Sequence, residues 1–404
     1  MKRVIIIAFA ICLILSGCGI TDNNYNETEK DNGDAYKSTQ KMVGMWVTYS
    51  ELKSMCSGET DFETCYATAI EKAKEFGINA VFVHVRAFAD SVYPSKFFPQ
   101  NDYSAKQGYD ILHKMIEITH QNNMQFHAWI NPYRVSTASA DINTLADNNI
   151  AKIWRTDGDD SNDNNVLFTD SGIYFNPAST EVKKLIISGV REIVENYNVD
   201  GIHFDDYFYP TTDENFDKAS YDEYKNTTES PFDLAQWRRD NVNGLILGVY
   251  TAVKSVRDIP FGISPAADLD RCYNSLYADI EGWIGGKYID YIMPQLYFGF
   301  EYPIEKFRFD HLMTSWQSIM QHSDITLYCG LGFYKTGTET KPDSEEWCAN
   351  DDIIARQIRL LDEYNWDGYV FFSYSSLFGE NELNVRQREN AKKSMSVNVA
   401  DKGI

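Results

Sequence analysis

Residues 200–210 read DGIHFDDYFYP. From Gly201 to Phe204 the side chains follow the two-residue period of a β-strand, with Ile202 and Phe204 on one face and His203 on the other. Carried further, the same parity puts Asp205 and Tyr207 with His203 and leaves Asp206 on the opposite face. Pro210 has no N–H to give to a ladder, so the strand ends before it. An apolar face toward a helix layer, with a carboxylate on the other face at the strand's C-terminal end, suits a parallel α/β barrel, whose active sites are built at that edge. On this reading Asp205 aims into a cleft, and Asp206 with the aromatics Tyr207, Phe208 and Tyr209 forms its rim.

Seven further β-rich runs surround this one. The eight cover 43–49, 80–86, 125–131, 201–207, 261–266, 291–297, 327–334 and 368–374. Between and after them lie helix-like segments at 62–76, 109–122, 180–197, 233–256, 279–285, 304–321, 352–364 and 385–393. Eight alternations of strand and helix predict an α/β fold of the (β/α)8 TIM-barrel type, as a single catalytic domain over 41–397. A long insert, 134–179, follows the third strand; its acidic run DGDDSNDNN (157–165) lacks the Gly and distal Glu of a calcium loop and reads as a solvated loop. The parity of the fourth strand extends to its neighbours. It turns Trp46 and Thr48, His84 and Arg86, His127, Trp129 and Asn131, and Gln295 and Tyr297 into the barrel. The three inward histidines suit a buried hydrogen-bond network.

Outside the barrel the chain reads differently. Residues 1–17 carry two early basic residues and an apolar run too short to span a bilayer comfortably, ending in Leu15-Ser16-Gly17 before Cys18. This is the pattern of a bacterial lipoprotein signal peptide, with Cys18 as the lipidated residue and an anchored, extracytoplasmic location in the cell envelope as the result. Residues 18–40 are polar and almost devoid of apolar side chains, as expected of a flexible tether. A formal net charge of -22 speaks against nucleic acid or anionic lipid surfaces as partners, and a monomer is expected. Of the seven cysteines, Cys56 and Cys65 form the one close pair. Metal and nucleotide signatures are missing from the sequence, so neither a metal nor a cofactor is expected.

Several motifs in order carry a resemblance. VGMWVTY (43–49), VFVHVRAFADSVYPS (81–95), HAWINPYR (127–134), GIHFDDYFYP (201–210), GISP (262–265) and DYIMPQLYF (290–298) together resemble the glycosyl hydrolase-like family 10 of bacterial lipoproteins. The resemblance implies a (β/α)8 barrel outside the cytoplasm that acts on a polysaccharide, with peptidoglycan glycan strands of the cell wall as the favoured substrate. DGIHFD is also similar to the fourth-strand motif of the α-amylase and α-galactosidase superfamily, in which the closing Asp is the nucleophile, and Asp205 holds that place. The chain departs from that pattern in having His203 where an Arg stands and in offering no Glu at the end of the fifth strand.

Glycoside hydrolysis uses two carboxyl groups. Asp205 is expected as nucleophile or general base, with Asp206 in support or in a direct role. Candidates for the proton donor are Asp90, Asp206, Asp268, Glu301 and Glu380, and Asp268, beside the apolar Ala266–Ala267, is preferred because such surroundings raise a carboxyl pKa. Asp90 near Arg86 suits a substrate ligand better than an acid. The expected substrate-binding set is Trp46, Arg86, Asp90, Trp129, Asn131, Arg134, His203, Tyr207, Gln295 and Tyr297. Two other readings stand beside the hydrolase: a non-catalytic glycan-binding barrel, and a polysaccharide deacetylase. The deacetylase would need a His-x-x-x-His pair, which the seven histidines do not supply.

Overall fold

The computed structural model of the protein describes residues 41–339 and 342–400. The expected signal peptide, Cys18 and the tether lie outside the described residues. The described residues form eleven strands: β1 (Met42–Val47), β2 (Ala80–Arg86), β3 (Gln125–Ile130), β4 (Arg134–Ser136), β5 (Val166–Phe168), β6 (Ile173–Phe175), β7 (Gly201–Phe204), β8 (Phe261–Ile263), β9 (Tyr291–Ile292), β10 (Thr326–Leu331) and β11 (Gly368–Phe371). Eight of them close into a barrel in the order β1-β11-β10-β9-β8-β7-β3-β2, and every pairing in it is parallel. The (β/α)8 barrel expected from the sequence is therefore the fold. The insert after β3 builds its own antiparallel sheet, β4-β6-β5.

Seven of the eight barrel strands stop earlier than the sequence pattern suggested. Beyond β8 and β9 pairing continues only as single bridges, Ala266 to Gln295 and Gln295 to Gly330, and the chain there turns its side chains into the mouth of the barrel. Local chemistry sets where the helices begin. Asp61, Ser179 and Asp233 each accept a hydrogen bond from a first-turn amide of the helices Phe62–Phe76, Thr180–Asn196 and Leu234–Val256. Thr48 and Glu51 form a reciprocal capping box at the start of the helix Tyr49–Ser57. Gly77 ends Phe62–Phe76 at φ 112°, in the left-handed region that a side chain would disfavour.

Strand parity divides the core in two. Val81, Val83 and Val85, Phe126, Ala128 and Ile130, Ile202 and Phe204 all pack outward against the helices in one large cluster. A smaller cluster fills the barrel interior: Trp46, Ala80, Phe82, Trp129, Tyr291, Met293 and Val370. Arg86 breaks the rule. The β2–β3 register shifts between His84 and Arg86, so Arg86 pairs with Ile130 and its guanidinium lies 4.2 Å above the Phe98 ring in the outer layer, not inside the barrel. Cys56 and Cys65 are free thiols.

The interior tolerates no extra volume. A Cβ built on Gly262 would lie 2.3 Å from two ring carbons of Tyr291, which is itself 2% exposed. Gly262→Ala should therefore destabilise the barrel by about 1–3 kcal/mol through overpacking. Urea unfolding at constant m-value checks this, and an unchanged midpoint would show that the interior can repack.

Candidate active site

The motif that opened the sequence reading sits where parity placed it. Asp200, before β7, accepts the Phe126 amide (2.7 Å), which pins β7 to β3. Gly201 is required because a Cβ there would meet His127 Nδ1 at 2.3 Å. His203 then points inward. Trp46 Nε1, which can only donate, gives its hydrogen to His203 Nε2 (3.2 Å), so the ring proton lies on Nδ1, which donates to the Tyr291 hydroxyl (3.0 Å). Burial first, then His127, pushes this imidazole well below its ordinary pKa, in keeping with a neutral ring. His203 thus fixes the floor beneath the site.

Asp205 follows the last residue of β7 and is 2% exposed. Its Oδ2 accepts from Trp129 Nε1 and Asn131 Nδ2, both at 3.1 Å, and its Oδ1 accepts from the Tyr207 amide at 3.2 Å. Burial raises its pKa to about 7; Arg134 opposes the shift and Asp206 adds to it. Asp206 accepts from Gln295 Nε2 (3.0 Å), while the same nitrogen holds the Ser264 carbonyl (2.9 Å). Burial also raises Asp206, and the Gln295 bond offsets part of that rise. Burial thus raises both adjacent carboxyls above the ordinary carboxylate value, Asp205 to about 7, and their proximity couples the two titrations.

Around Asp205 lies a cavity of about 510 Å³, within the range of small-molecule sites. Of the expected residues, Trp46, Trp129, Arg134, Asp205, Tyr207, Gln295 and Tyr297 line it. Asn131 reaches it through Asp205, and Asp206 through Gln295. Arg134 is carried in by β4 of the insert, its guanidinium 3.3 Å above the ring of Tyr207. On the other side Tyr297 meets Tyr334 edge-on at 5.7 Å. That rim is braced from behind: buried Lys335 donates to the Tyr297 carbonyl (3.2 Å) and to both oxygens of Asp343 (2.6 Å), while Glu346 accepts the amides of Phe300 and Glu301. A larger hollow, about 710 Å³, lies between the helices Ile353–Glu363 and Glu382–Ala400, and contains none of this chemistry.

The remaining expected residues lie elsewhere. Asp268 caps the helix Leu269–Asn274 and faces Lys306 at 3.6 Å; it does not line the cavity. Arg86 sits off the cavity because of the register shift in β2, and Asp90, four residues beyond that strand, does not line it either. The rim is narrower than expected: Tyr207 is 48% exposed, whereas Phe208 packs on Trp283 and Tyr209 on Tyr277, each 1% exposed. His84, turned inward by parity and expected in a buried network, lines the cavity as well, whereas Tyr49, Glu51, Ser264, Tyr334 and Ser373 line it unforeseen. Of these only Glu51 had a local signature, the Thr48-x-x-Glu51 spacing. Among the described residues no group of three or more His, Cys, Asp or Glu side chains is placed to hold a metal ion.

Comparison with known proteins agrees with this architecture. The chain is 32% identical over 348 residues to glycosyl hydrolase YngK of Bacillus subtilis (strain 168), covering 80% of this chain and 64% of that protein, so it spans just under two thirds of that relative. It is 30% identical over 437 residues to glycosyl hydrolase DigH of Escherichia coli (strain K12), covering 95% of this chain and 94% of that protein. Among solved structures, alpha-L-fucosidase isoenzyme 2 from Paenibacillus thiaminolyticus superposes with a TM-score of 0.59 at 10% identity, over 89% of this chain and 50% of that one, a likeness of fold alone. The pattern described as glycosyl hydrolase-like 10 matches residues 41–349, which takes in β1 to β10 and the whole Asp205 dyad. The chain belongs to the glycosyl hydrolase-like 10 family.

Proposed function

We propose that the protein is an active glycoside hydrolase of the cell envelope, that it cuts peptidoglycan glycan strands, and that Asp205 and Asp206 carry the chemistry. The observation behind this reading is the Asp205 carboxyl: buried, lining the cavity at the C-terminal face of the barrel, and next to a second carboxyl. Cleaving a glycosidic bond needs a proton for the departing oxygen and negative charge near the cation that develops on the ring. A carboxyl held near pH 7 by burial is suited to give and retake that proton at neutral pH. Its Oδ1, with only the Tyr207 amide on it, is the oxygen placed to present the proton to the cavity. This favours Asp205 as general acid and Asp206 as its ionised partner, the reverse of the nucleophile role suggested by parity. Asp268, occupied as a helix cap, has no part in the scheme. Trp129 and Tyr207 offer faces on which sugar rings can stack.

Envelope attachment rests on the leader and Cys18. The Leu15-Ser16-Gly17-Cys18 pattern makes an acylated cysteine the anchor that the sequence offers. Cys18→Ala should release the protein from membranes; its persistence in a carbonate-washed membrane fraction would refute lipid anchorage.

Asp205→Asn keeps the shape and loses the proton shuttle. Turnover of purified glycan strands, read by product mass, should fall at least about a thousandfold while binding persists, and Asp206→Asn should cost roughly tenfold to a hundredfold. A wild-type rate in Asp205→Asn would remove the dyad from the mechanism.

The same group links pH to stability. Its folded value of about 7 lies above the ordinary carboxyl value of about 4, so the native state binds the extra proton between them. Stability from this group is therefore full at low pH and is lost as pH rises toward 7. Denaturation between pH 5 and 8 should show Asp205→Asn gaining stability relative to wild type as pH rises; a constant difference would mean that Asp205 titrates normally.

A further inference from the structure

On the hydrolase reading, the anomeric carbon must be attacked from the face opposite the leaving group. In the two-carboxylate scheme that attack, direct or through water, depends on a second carboxylate roughly 5–9.5 Å across the bond from the acid. Asp205 and Asp206 are successive residues, with Cα atoms about 3.8 Å apart; Asp205 lines the cavity and Asp206 stands behind Gln295, so neither faces the other across a bound sugar. The opposite wall is formed by the ends of β11 and β1, since β11 stands four strands from β7 in either direction around the barrel. One carboxylate lines the cavity there, Glu51. Its Oε1 accepts from Ser373 Oγ and the Ser375 amide, both at 2.7 Å, and its Oε2 from the Thr48 amide (2.7 Å) and Thr48 Oγ1 (3.0 Å). A carboxylate has about four lone-pair sites, and all are taken. Glu51 is a brace joining the ends of β1 and β11, and among the described residues no other carboxylate lines the far wall.

We propose that the missing nucleophile belongs to the substrate: the 2-acetamido group of a 2-acetamido-2-deoxy sugar attacks its own anomeric carbon. The inference rests on the hydrolase reading and names the substrate feature that reading requires. In the first step the amide carbonyl oxygen bonds to C1. The C1–O bond to the leaving group breaks, its electron pair goes to the leaving oxygen, and that oxygen takes the proton of Asp205. A fused oxazolinium ring results, and the Asp206 carboxylate, oriented by Gln295, balances its positive charge. In the second step water adds to C1 from the vacated side and gives a proton to Asp205. The bond from C1 to the amide oxygen breaks, the acetamido group is restored, and the configuration at C1 is retained. The aromatic lining from Trp46 and Trp129 gives the acetyl methyl an apolar contact.

The test uses the full-length protein and 4-methylumbelliferyl chitobiosides. The sugar next to the aglycone carries an N-acetyl, N-fluoroacetyl, N-difluoroacetyl or N-trifluoroacetyl group, or a 2-hydroxyl. Each fluorine weakens the carbonyl oxygen as a nucleophile, so kcat/KM should fall stepwise, by about a hundredfold or more from acetyl to trifluoroacetyl, with the 2-hydroxyl congener lower still. The thiazoline analogue of the fused ring should compete with substrate, and purified glycan strands should be cut with retention, read by NMR of the fresh reducing end. Equal rates across the series, inversion at C1, or azide rescue of Glu51→Ala to a glycosyl azide would overturn the proposal while leaving the hydrolase reading intact. Failure of the wild-type protein to cut either the probes or the strands would remove both.

Discussion

A carboxyl group almost wholly buried at the cavity wall, beside a second carboxyl, is the constraint on which the rest of this structure depends. Leaving Asp205 charged and unsupported at 2% exposure would cost several kcal/mol. The fold answers with three neutral donors, from Trp129, Asn131 and the Tyr207 backbone, and with Arg134 at a distance. These reduce the penalty without cancelling it, which is why the group settles near neutrality and not in the ordinary carboxylate range. A full ion pair at Oδ2 would have made the residue a better structural element and a poorer acid.

The barrel beneath the dyad is arranged to keep those donors still. Trp46 and Tyr291 clamp His203 in one tautomer, and Phe82 packs against both His127 and His203 at 4.5 and 5.0 Å. His84 stacks on Trp129 at 3.7 Å with its ring nearly parallel, so the indole that serves Asp205 is held from its other side. The exposed parts of the rim, Tyr207 and Tyr334, are supported from outside the barrel strands: Tyr207 by Arg134 of the insert sheet, and Tyr334 by Tyr297, whose carbonyl Lys335 holds. A buried floor under an exposed rim suits the proposed hydrolase, in which a proton donor is held in place while a glycan reaches it.

Much of this was legible because strand parity is a two-valued code. Ile202 and Phe204 announced the outer face of β7, and the same reading carried Trp46, Trp129, Gln295 and Tyr297 to the cavity. It failed where the code is broken by geometry that composition does not reveal. A register shift after His84 sent Arg86 away, and a turn after Tyr207 buried Phe208 and Tyr209. Asp268 looked like a donor because its sequence neighbours are apolar; it is a helix cap facing Lys306, and proximity in sequence to Ala266 said nothing about solvent. Glu51 and the Lys335–Asp343 brace join residues far apart in the chain, and no local pattern predicts such a meeting.

The protonation state of the dyad at neutral pH decides between an acid that is ready to act and a pair of ordinary carboxylates. Carbon-13 NMR of the aspartate side-chain carboxyls, followed from pH 4 to pH 9 in the full-length protein and in Asp205→Asn, measures it directly. One resonance titrating near 7 in the wild-type protein and missing from the variant is expected. If every aspartate carboxyl of the wild-type protein has completed its titration below about pH 5, in the ordinary range, the burial of Asp205 does not do what the mechanism requires.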